Sequence, residues 1–93
     1  MAEDFLKGKN IESVAKDIGE GFVFVNPIYL KRFDQEMIKK LHAAVSKTMA
    51  RIRSEPFPAG DMEAIKSRNL RLSRMNNAVV VIKNFARERR WIL

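Results

Sequence analysis

The sequence predicts a mainly α fold: a long antiparallel helical hairpin with a short N-terminal helix and one short extended or strand segment, completed by dimerisation. Three observations predict it. Apolar residues recur at threes and fours from Leu30 to Ile52, and again from Ile65 to Ala86. Between the two runs lies "EPFPAG", residues 55–60, where two prolines and a glycine force a turn. The chain has 93 residues and no cysteine, so its single domain, 1–93, buries a modest core that neither disulfides nor thiolate metal sites can reinforce. A partner chain is the remaining common source of burial.

"NIESVAKDIGEG" opens on Asn10, a good N-cap, followed by Ile11, Val14, Ala15 and Ile18 at helical spacing. Gly19 and Gly21 stop it after about two turns. Phe22 to Val25, "FVFV", are all β-branched or aromatic, the pattern of a short strand or buried extended segment. Four apolar residues in a row predict packing across the helices.

Asn26-Pro27 reads as a helix start, with Asn as cap and Pro at the first helical position. From there to about Ser54 the pattern predicts one unbroken helix of roughly 40 Å at 1.5 Å per residue. Leu30, Phe33, Met37, Leu41, Ala44, Thr48 and Ile52 form its stripe, widened by Ile38, Val45 and Met49. Gly60 or Asp61 can cap the next helix.

The last third admits two readings. In the favoured one a single helix runs from Asp61 to about Arg90. Ile65, Arg68, Leu72, Met75, Val79, Ile82 and Ala86 then form a seven-residue seam, as an antiparallel helix pair uses. In the other, "LRLSRM" and "AVVVIKNF" make a β-hairpin about Asn76-Asn77. The order helix, strand, helix, helix, hairpin resembles that of winged-helix DNA-binding domains, and implies an α+β fold with Arg71 and Arg74 near a wing. The helix before the turn is too long for that fold's helical core.

The net charge is +7 at pH 7. Residues 1–46 hold seven Lys/Arg against seven Asp/Glu; residues 47–93 hold eleven against four and so carry all of it. From Lys66 to Arg90 there are eight basic residues with only Glu88 to oppose them. This asymmetry points to an anionic partner surface, nucleic acid or a ribonucleoprotein, contacted through phosphates. On the long helix Asn76, Lys83, Arg87 and Arg90 form an outward polar row. Lys83, Arg87 and Arg90 are therefore the expected phosphate contacts, with Arg71, Arg74 and Arg89 as weaker contributors. A solvated face is the plain alternative. Arg68 lies on the apolar seam and predicts an acidic partner, with Glu55, Asp61 and Glu63 nearest in sequence.

A second reading is a helical interaction or assembly module with no nucleic-acid role. Ala78, Val80, Val81 and Phe85 fall on sides of the last helix that one neighbour cannot cover together. "RRWIL" adds Trp91, which either folds back onto the first helix and the Phe22–Val25 segment or anchors a partner. Val80, Val81, Phe85 and Trp91 are the expected partner contacts, in a homo-oligomer or with a helical protein.

The sequence offers little for catalysis. His42 is the only histidine, there is no glycine-rich phosphate loop, and no Ser or Thr stands in a recognised nucleophile motif. One histidine with scattered carboxylates makes no transition-metal site. Arg32, Lys39, Arg51 and Arg68 could line a dicarboxylate pocket, but any basic helical protein offers such a set. The expectation is a non-enzymatic protein without cofactor. No apolar run approaches the roughly 18 residues that span a bilayer. "MAEDFLKGKN" lacks the apolar core of a secretory signal and is too acidic for a transit peptide. Together these predict a cytoplasmic protein that does not enter the membrane.

Overall fold

Four helices follow one another in a computed structural model that describes residues 10–93: α1 (Ile11–Glu20), α2 (Pro27–Leu30), α3 (Gln35–Ser54) and α4 (Met62–Glu88). The leader reading of the first nine residues lies outside the described residues.

Each helix begins on the capping chemistry its sequence offers. Asn10 Oδ1 accepts from the Ser13 N–H at 2.7 Å, Asn26 Oδ1 from Tyr29 at 2.8 Å, and Asp61 Oδ1 from Ala64 at 3.0 Å. A fourth cap was not expected. Asp34 Oδ1 accepts from the Met37 N–H at 2.8 Å, so the helix predicted from Pro27 to Ser54 is two helices. The Phe33 N–H closes a tight turn on the Leu30 carbonyl at 2.9 Å. An aspartate that bonds its own backbone competes with helix continuation, and here it wins. The break still lets Leu30 and Phe33 bury, so the apolar stripe survives it.

α1 runs for ten residues, nearly three turns, longer than expected. Gly19 lies inside it and does not stop it. Gly21, at φ 84°, is the left-handed cap, and the Phe22 N–H closes the end on the Asp17 carbonyl at 2.9 Å. The segment after it is extended but pairs with no strand among the described residues. Val25 is buried and Val23 half-buried, whereas Phe22 and Phe24 are 79% and 82% exposed. The alternation of an extended chain sends two of the four apolar side chains to solvent.

The C-terminal hairpin is excluded, since α4 is helical through Asn76 and Asn77 for 27 residues. α4 lies antiparallel to α3. Ile52 and Glu55, at the end of α3, line one cleft with Arg71 and Met75, while His42 near its start feels the charge of Lys83. α1 packs against both long helices and α2 against α4. Among the described residues one core of 17 buried apolar side chains joins all four, including Val14, Leu30, Ile38, Leu41, Val45, Met75 and Ile82. No described polar side chain is buried in it.

This packing revises the uncovered-face expectation. Ala78 and Phe85 are buried within the chain, because α1 and α2 supply the extra neighbours. The described residues span 45 × 27 × 19 Å, with α4 along the length. None of their helices is long and apolar enough to cross a membrane.

Candidate nucleic-acid interface

Lys83, Arg87, Arg89 and Arg90 are all exposed at the end of α4. Lys83 and Arg87 are four apart, so they stand on one face, and the turn that ends the helix brings Arg90 to the same place. Lys83, Arg87 and Arg90 line a shallow concavity of about 470 Å³ together with Trp91, Ile92 and Leu93. Among the described residues no acidic side chain lines it. Arg87 Nη2 donates to Asn84 Oδ1 at 2.7 Å, which holds the guanidinium across the helix face.

The helix end explains how this cluster is built. The Arg90 N–H donates to the Arg87 carbonyl at 3.0 Å and the Trp91 N–H to the Ala86 carbonyl at 2.9 Å. These are the two bonds of a Schellman close, and they require a left-handed residue between helix and tail. Glycine usually fills that position. Here Arg90 fills it, at φ 59°. An arginine is therefore held in a conformation unfavourable for residues with a Cβ by about 1 kcal/mol.

Behind the cluster, Trp91 meets Phe85 edge to face, with ring centroids 6.1 Å apart. The Arg89 guanidinium covers the Phe85 ring at 3.6 Å from its centroid and lies 5.9 Å from that of Trp91. The tail thus folds back on the end of its own helix, against Phe85. Ile92 remains 83% exposed. On α3, His42 is held below the ordinary imidazole pKa, first by burial and then by the charge of Lys83.

The other predicted contacts separate from this group. Arg74 Nη1 donates to the Gly19 carbonyl at 3.1 Å, an acceptor at the end of α1, so its guanidinium ties two helices together. Arg71 lies in a cleft between α1, α3 and α4. Arg68 has no acidic partner among the described residues. It is half-buried, with Nη1 3.4 Å from Asn69 Oδ1 and its cation 5.4 Å from the centre of the Phe57 ring. Phe57 was not singled out from the sequence, and it meets the arginine without an acid.

Of the predicted partner residues, Val80 is 51% exposed, Val81 and Trp91 are half-buried, and Phe85 is core. The larger apolar surface is elsewhere, at Phe22, Phe24 and Ile28. Beside Phe24 a groove of about 340 Å³ runs between the extended segment and α4, lined by Ile18, Val23, Val25, Ala78 and Val81. Period-two reading of "FVFV" was the signal that could have found this surface. Among the described residues no group of three His, Cys, Asp or Glu is placed to hold a metal ion.

Comparison with protein families, characterised proteins and solved structures finds no match to this chain.

Proposed function

We propose that this is a small non-enzymatic protein that binds nucleic acid, or a ribonucleoprotein, through phosphate contacts from Lys83, Arg87 and Arg90. The observation that carries the reading is their convergence on one concavity that, among the described residues, no acidic side chain lines. Complementing the helix dipole does not account for it. A helix C-terminus carries about half a negative charge, whereas Lys83, Arg87, Arg89 and Arg90 against Glu88 bring a net of three positive ones. Arg90 in a glycine position supports the same reading, because a charge is kept where the backbone disfavours it. Arg89, stacked on Phe85, still presents its guanidinium edge. Arg71 and Arg74 contribute less, since both are half-buried.

The test is a fluorescence titration with unrelated duplexes and single strands of DNA and RNA at several salt concentrations. Affinity should fall steeply with salt and vary little with sequence. Absence of binding to every one of them at low salt would refute the proposal.

A second reading rests on a different observation. Phe22, Phe24 and Ile28 are each more than three-quarters exposed on neighbouring parts of the chain. Such a surface suits a protein partner or a second copy, with Val80 at the margin. Apolar association does not weaken as salt rises, so the same titration series separates the two.

A further inference from the structure

The cleft between α1, α3 and α4 has about 360 Å³ of space, within the range of small-molecule sites. Lys16, Lys47, Arg51 and Arg71 reach it from all three helices. Glu12, Glu20 and Glu55 also line it, each on an exposed residue. Despite this mixture, none of the seven charged groups makes an ion pair among the described residues.

Arg71 is the informative member. It is half-buried, and its Nε is shielded from solvent with no acceptor. Among the described residues its side chain has no hydrogen bond, ion pair or ring contact. A donor of a charged group left unmet in this way is costly, and native proteins seldom leave one without a reason. Arg68 Nε is shielded too, but that guanidinium has Asn69 and the Phe57 ring and lines none of these clefts. Arg71 lacks an acceptor beside an open space that three other cations border. One neutral donor there is already used: the Thr48 hydroxyl donates to the Ala44 carbonyl at 2.8 Å. The cleft therefore offers charged donors and asks for an acceptor.

We infer that this cleft binds a small molecule through an oxyanion group, a phosphate ester or a carboxylate, seated on Arg71 and flanked by Arg51 and Lys47. A guanidinium presents paired donors that match such a group. The exposed Glu12, Glu20 and Glu55 turn to solvent when it is occupied. The site is separate from the α4 end, and its ligand need not be a nucleic acid.

The experiment is a titration of the full chain, by nuclear magnetic resonance, with inorganic phosphate and separately with succinate, following the Arg71 Nε–H resonance. A saturable downfield shift with either probe is expected, with Kd below about 1 mM, and the probe that produces it identifies the oxyanion. Arg51→Gln, an exposed substitution that leaves the fold intact, should weaken binding roughly tenfold, and Arg71→Lys should weaken it at least as much. A triple Lys83→Ala, Arg87→Ala, Arg90→Ala variant should bind the probe as the wild type does, whatever its behaviour toward nucleic acid. A shift that fails to saturate, or that the triple variant abolishes, would overturn the inference. So would a free-protein Arg71 resonance that Glu20→Gln or Glu55→Gln displaces, because a carboxylate of the chain would then already be the acceptor.

Discussion

Arg90 holds a left-handed conformation that glycine adopts freely, so Arg90→Gly separates backbone from charge. The variant should be more stable by about 0.5–1 kcal/mol in chemical denaturation. It should also bind nucleic acid less tightly, since one phosphate contact is lost. An arginine that only decorated the surface would show the gain without the loss. His42 reports on the same cluster. Its folded-state pKa lies below the ordinary value, so between that pKa and about 6.5 the unfolded chain binds more protons. This group's contribution to stability is complete above that window and falls as pH drops through it. Lys83→Gln should move the His42 pKa part of the way up, because burial, the larger cause, remains. A one-histidine proton titration measures this directly, and an unmoved value would show that Lys83 does not act on the imidazole.

Among the elements, the caps at Asn10, Asn26 and Asp61 were legible because a short polar side chain before an apolar period has few other uses. The cap at Asp34 was not. Its stripe continues across the break, and periodicity registers which side chains bury, not whether the backbone between them is continuous. The segment "FVFV" misled for the opposite reason. Composition announced burial, while the period of two leaves Phe22 and Phe24 outside. The basic group at the end of α4 was legible from spacing alone, but the separate placement of Arg74 was not, because its acceptor is 55 residues away. Gly21 and Gly60 turn this long-range contact into a measurement. Both have φ 84°, so alanine strains the backbone equally at each. A methyl at Gly60 meets nothing within 4 Å, whereas at Gly21 it comes within 2.9 Å of the Arg74 guanidinium carbon. Gly60→Ala should cost about 1 kcal/mol and Gly21→Ala clearly more, as the Arg74 tie is displaced. Equal losses in thermal or chemical unfolding would mean that Arg74 gives way freely.

For the whole molecule, the four helices close one core within the chain, and dimerisation is not required to bury Ala78 or Phe85. Two exposed surfaces stand out, an apolar one at Phe22, Phe24 and Ile28 and a cationic one at the end of α4. If the first surface pairs copies, sedimentation should show association that persists at high salt and that a Phe22→Ser, Phe24→Ser variant abolishes. A wild-type monomer throughout the micromolar range would remove that reading and leave the cationic surface as the functional one.

Phosphate binding by that cationic surface is read from its salt dependence. On duplex DNA each phosphate contact contributes about 0.9 to the slope of log affinity against log salt. Replacing Lys83, Arg87 and Arg90 together by alanine removes three exposed cations and no core side chain. The slope for this variant should be smaller by about two to three than that of the wild type, with all sequences weakened alike. A triple variant that keeps the wild-type slope and affinity would contradict it.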